Sequence, residues 1–274
     1  MKKISVILLL GFWYSSSVAQ ADTSFRLVKT IKGDIANFTV DNSDNIYILD
    51  SRNQLKKLNA NGDSVAVFND VRKFGRATYI DVSNPLRLLL YYKDFSTIVV
   101  LDRFLNVRNT IDLRKKNIFQ VKAVALAYDN NIWLYDELEN KLKKIDEDGN
   151  QLLETPDFRL LFGEAPSPQI IFDQDKFVYL YDSAKSVFVF DYFGGLKNKI
   201  LITGWKNFKV VEKYIYGSDD KMLHRYEISS FRLDDWIFPP QLKEVQSFNF
   251  TKNYLYALRK SGPDNYQIEV YSYR

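Results

Sequence analysis

The chain has 274 residues, 46% of them hydrophobic, with 38 Lys and Arg against 34 Asp and Glu, one His and no Cys. The lack of Cys excludes disulfides, thiolate metal sites, Cys nucleophiles and a lipidated Cys, so a large apolar core must hold the fold. A lone His excludes a multi-His metal site, and a formal charge of +4, half of it from Lys2 and Lys3, gives no electrostatic footprint for nucleic acid.

At the start of the chain, Lys2 and Lys3 precede an apolar run over 4–14 and an Ala19-Gln20-Ala21 ending. That is the pattern of a cleavable secretory signal over 1–21, with Asp22 the expected mature start. The run is shorter than the roughly 20 apolar residues a spanning helix needs, and no later stretch approaches that length. Residues 22–274 are expected to form one exported domain, periplasmic and peripheral to the outer membrane.

A unit then recurs about every forty-odd residues: an apolar strand ending in Asp, a short polar gap, a second apolar strand, and an Asn/Asp/Gly turn. Residues 46–63, 132–149 and 177–195 are three copies. A repeat of that length built only of short strands predicts an all-β fold, the β-propeller.

In chain order, first strands such as 38–40 and 124–128 precede Asp41-Asn42 and Asp129-Asn130, residues that tolerate left-handed backbone or bond their own main chain. Second strands are expected over 46–49, 86–91, 132–135, 177–181, 213–216 and 254–258, which makes six blades. Third strands are read over 55–58, 97–101, 141–145, 186–190, 223–228 and 266–273, most with the alternation of a strand whose two faces differ. Fourth strands follow over 65–68, 107–113, 151–155 and 196–202, through hairpin turns such as Asn61-Gly62 and Asp148-Gly149. The sixth unit ends after its third strand, while an orphan strand over 25–31 opens the mature chain. The expected closure is that this N-terminal strand completes the last blade and removes an exposed edge.

The strand, Asp, gap, strand pattern of Ile46-Tyr47-Ile48-Leu49-Asp50 and Ile132-Trp133-Leu134-Tyr135-Asp136 resembles the six-bladed propellers of the NHL and related repeat families. The resemblance spans nearly all of the mature chain and implies an architecture rather than an activity. Blades two and five depart from it, with Lys93 and Gly217-Ser218 where the others carry Asp.

Little in the sequence points to catalysis. His224 has no Gly-x-Ser-x-Gly partner motif and reads as a packed or surface residue. Asp146-Glu147-Asp148-Gly149-Asn150 has the wrong Gly and Glu spacing for a calcium loop and reads as a hairpin turn. The repeated Asp50, Asp102, Asp136, Asp146, Asp182 and Asp191 stand at strand ends, where carboxylates satisfy backbone donors. No cofactor, metal or catalytic residue is expected.

What remains is a face. Loops expected over 70–76, 114–122, 157–168, 204–207 and 236–242 join fourth strands to the next blade and emerge with the second-to-third loops on one side. They carry Phe74, Phe119, Phe162, Trp205 and Trp236 beside Arg76 and Lys115, the aromatic and basic mixture that interfaces enrich. These seven residues are the expected contacts of a protein partner. The reading is a non-enzymatic interaction module, an accessory subunit of an outer-membrane secretion or assembly complex. The alternatives are a carbohydrate-binding or carbohydrate-active propeller, with Trp205, Trp236 or Trp133 as stacking platforms, and a sensor of small ligands or peptides.

Overall fold

The computed structural model describes residues 25–262 and 265–273; the leader expected over 1–21 lies outside them. Six four-stranded antiparallel sheets form the blades of a β-propeller. Blade one holds β2 (Asn37–Val40), β3 (Ile46–Leu49), β4 (Leu55–Leu58) and β5 (Ser64–Phe68), after the opening strand β1 (Phe25–Gly33). Blade two holds β6 (Tyr79–Asn84), β7 (Arg87–Tyr92), β8 (Thr97–Asp102) and β9 (Val107–Asp112). Blade three is β10 (Val121–Leu126), β11 (Ile132–Asp136), β12 (Lys141–Ile145) and β13 (Gln151–Glu154). Blade four is β14 (Ile170–Gln174), β15 (Phe177–Asp182), β16 (Ser186–Asp191) and β17 (Leu196–Ile200). Blade five is β18 (Lys206–Val211), β19 (Tyr214–Ser218), β20 (Met222–Glu227) and β21 (Arg232–Ile237). Blade six combines β22 (Val245–Phe250), β23 (Tyr254–Lys260) and β24 (Tyr266–Tyr273) with β1.

Closure follows the expected route: β1 pairs antiparallel with β24, from Phe25 opposite Tyr273 to Gly33 opposite Tyr266. This couples the two ends of the chain, so the ring gains its last edge only through a contact of maximal sequence separation.

The second strand of each blade explains why alternation alone specifies the ring. In β11, Ile132 and Leu134 pack toward blade two, while Trp133 and Tyr135 pack toward blade four. In β7, Leu89 and Tyr91 face blade three and Leu88, Leu90 and Tyr92 face blade one. A period of two therefore supplies two different interfaces from one strand, and both must be apolar. One apolar cluster fills each of the six gaps between neighbouring blades.

The repeated Asp residues act as expected. Asp50 accepts from the backbone N–H groups of Arg52 and Gln54, Asp102 from Phe104 and Asn106, and Asp136 from Leu138 and Glu139. Asp146 does the same for Asp148 and Asn150, Asp182 for Ala184 and Ser167, and Asp191 for Phe193 and Gly195. The turn at Gly149 is thus a hairpin closed by its own Asp. Gly149 sits at φ +80°, and a Cβ there would lie 2.7 Å from Ile111.

Blade five corrects one expectation. Trp236 belongs to the fourth strand β21 rather than to a loop, and its partner across the ladder is Leu223 of β20. The sequence Arg232-Leu233-Asp234-Asp235-Trp236 conceals this strand because an outermost strand is wetted on both sides and shows no apolar alternation.

Candidate functional site

The loops entering each blade and those between its second and third strands do share one face, because they bond to each other. Ser51 donates through its backbone N–H and its hydroxyl to Asp34, Arg76 Nε donates to Asn53 Oδ1, and the Gly204 N–H donates to the Ser183 carbonyl. These bonds fix the loops on the rigid ring.

The seven residues singled out for partner contact divide on this face. Phe74 ends the short helix α1 (Val71–Phe74), is only 7% exposed, and packs 5.2 Å from the Tyr92 ring. In α2 (Phe158–Phe162) the i, i+4 spacing sends Phe158 and Phe162 inward together, 5.4 Å apart. Trp205 stacks on His224 at 4.6 Å, in space kept open by Gly217, whose Cβ would lie 2.6 Å from the indole. The Trp236 ring carries the Arg225 guanidinium at 5.0 Å, and Arg225 is in turn bridged to Asp234. Four of the five aromatics therefore pack inward, Phe74, Phe162 and Trp205 beneath their loops and Trp236 from strand β21. Phe119, Arg76 and Lys115 are exposed.

Apart from Phe119, the apolar residues that do project were not singled out by sequence. Leu160 is 83% exposed and Leu161 48%, on the outward side of α2. Leu138 and Phe95 project from second-to-third loops, and Phe119 is 56% exposed. Backbone bonds join these loops into one rim: Glu137 N–H donates to Gln120 O at 2.7 Å, and Phe158 N–H to Asn140 O at 2.9 Å. Arg114 Nη2 donates to Phe95 O at 2.7 Å, so the same rim carries a basic end at Arg114 and Lys115. On the opposite face, exposed Phe104, Phe193 and Phe231 lie on the turns of blades two, four and five, and exposed Tyr128 stacks on Tyr192 at 4.3 Å.

The only histidine is buried. His224 Nδ1 lies 2.7 Å from Asp235 Oδ1, a hydrogen-bonded contact on the flank of blade five.

A second feature is a cavity of about 260 Å³ on the ring axis, lined by the innermost strands of blades one, two, four, five and six. Each of those strands is a sheet edge, so backbone donors and acceptors face the axis. Lys209 of β18 crosses it, donating to Val40 O at 2.9 Å and to Asn249 Oδ1 at 2.8 Å. Burial pushes its ammonium down to about 8, against the pull of Asp41 and Asp81. Asp81, across the ring, accepts from the backbone N–H groups of Ser83 and Leu126 at 2.8 and 2.7 Å. Asp173 accepts from the Trp133 indole at 2.9 Å, the Tyr192 hydroxyl at 2.8 Å and the Tyr128 N–H. Burial raises both carboxyls above their ordinary value, and the hydrogen bonds only partly offset it.

No family model matches this chain, and no curated protein matches it in sequence. Solved structures do. Virginiamycin B lyase from Staphylococcus aureus superposes at a TM-score of 0.56 with 14% identity, covering 89% of this chain and 88% of the lyase. A Bacteroides fragilis protein predicted to be exported gives 0.62 at 10% identity, covering 94% and 98%. The propeller domain of Swd1 from Myceliophteria thermophila gives 0.60 at 9%, covering 91% and 100%. What they share with this chain is the fold alone. One neighbour is named as an enzyme and the likeness is one of fold alone, so function has to be argued from this chain's own surface.

Proposed function

We propose that this protein is a non-enzymatic, exported interaction module whose loop face docks onto a protein of the cell envelope, as an accessory subunit of an outer-membrane secretion or assembly complex. The observation that carries the reading is the rim of Phe95, Phe119, Leu138, Leu160 and Leu161 on loops bonded to one another. Single exposed apolar residues are ordinary on a soluble surface, whereas a set carried by loops that are bonded to one another on one face fits a contact site. Arg114 and Lys115 at one end favour a partner with an acidic border, which would steer encounter more than add affinity. Export is supported by the Lys2, Lys3 and apolar leader pattern.

The test is affinity purification of a C-terminally tagged copy from detergent-solubilised native envelopes. A stoichiometric outer-membrane protein, lost when Leu160 and Leu161 are both changed to Asp, is expected. Recovery of the protein alone counts against the reading.

A further inference from the structure

We infer that the axial cavity is a binding site for a small polyhydroxylated carboxylate, a sugar acid of about one ring, with Lys209 as the anchor for its carboxylate. The argument begins from what Lys209 lacks. Its ammonium has three donors, of which Val40 O and Asn249 Oδ1 take two. Among the described residues no carboxylate lies within 4.0 Å of it. An ammonium withdrawn from bulk water and hydrogen-bonded only to neutral acceptors retains one donor for an anion entering the cavity, and a charge-assisted bond there is a strong one.

The acidic side chains nearby do not fill that role. Asp81 is occupied by two backbone N–H groups, and Asp173 by an indole, a hydroxyl and an N–H. Their lone pairs already stitch neighbouring blades together, which leaves the lysine as the charged group free to accept a new partner.

The remaining lining suits hydroxyls. Thr39, Tyr79, Gln174 and Ser247 reach the cavity from four different blades, and their side chains make no hydrogen bond to the described residues. Phe172, half-buried beside Phe208, supplies an apolar wall on which a sugar ring can lie. The volume of about 260 Å³ is below the roughly 300–1,000 Å³ of sites that take drug-sized ligands, which favours one ring over a chain.

Titration calorimetry of the intact protein with D-glucuronate and D-galacturonate tests this, with D-glucose and inorganic phosphate as comparisons. Saturable binding of a uronate is expected, at least about tenfold tighter than glucose, the scale of one charge-assisted hydrogen bond. Lys209→Met should lose about tenfold or more, and Lys209→Arg should restore part of it. Gln174→Ala, which leaves the lysine network intact, should weaken binding several-fold and so separates recognition from folding. Affinity should also fall as pH rises through the lysine's titration, with Asp41, Asp44 and Asp81 the charged groups that face it. No uronate binding by the folded protein, equal affinity for glucose and glucuronate, or undiminished binding by Lys209→Met would each overturn the assignment. Phosphate binding as tight as glucuronate would overturn the sugar-acid class.

Discussion

The buried ammonium of Lys209 makes a prediction whose sign and size can both be worked out. Its native value of about 8 lies below the ordinary 10.5, so between these values the unfolded chain holds a proton that the folded chain has released. Stability rises with pH wherever the unfolded state binds more protons, so this residue makes the fold more stable as pH climbs from about 8 to 10.5. The full span corresponds to about 3 kcal/mol, and the part between about pH 7.5 and 9.5 to about 2 kcal/mol. Lys209→Met removes the titrating group. Urea unfolding of both proteins across that window should give a stability difference, native minus variant, that grows by about 2 kcal/mol. Taking the difference cancels the tyrosines and carboxylates the two proteins share. Parallel profiles would refute the claim that burial of this lysine governs its protonation.

Three further outcomes follow from the packing. Removing residues 25–33 exposes the edge of β24, and size-exclusion chromatography should find the truncated protein aggregated or associated rather than monomeric. Ile268→Ala, at a fully buried position in the gap between blades six and one, should cost about 2–5 kcal/mol by chemical denaturation. Gly217→Ala places a methyl 2.6 Å from Trp205, so it should cost about 1–3 kcal/mol and shift the tryptophan fluorescence as the indole leaves His224.

The ring was legible because its rules are local. Residues 132–135 of β11 and 88–92 of β7 all face an apolar neighbour, and in blades one to four the turn after the third strand is closed by an Asn or Asp only a few residues away. The orphan strand over 25–31 could be assigned to the last blade because a propeller leaves it nowhere else to pair. The loop face was legible only in outline. An aromatic side chain in a loop carries no sign of whether it turns in or out; Phe74 and Phe162 turn in because each ends a short helix packed on its blade. Leu160 and Leu161 escaped notice since they share a helix with Phe158, and only the i, i+4 geometry separates the two sides. Lys209 escaped for a different reason. In an alternating strand a lysine reads as solvated, and its acceptor Val40 is 169 residues away in sequence. Strand β21 was hidden because its position at the blade's outer edge relaxes the apolar pattern that revealed the others.

The docking claim is tested most directly by site-specific photo-crosslinking in the native envelope, with the reactive group placed in turn at Leu160 on the loop face and at Phe193 on the opposite face. The account predicts a discrete crosslink to one envelope protein from position 160 and none to it from position 193. The same partner captured from position 193 but not from 160 would contradict it.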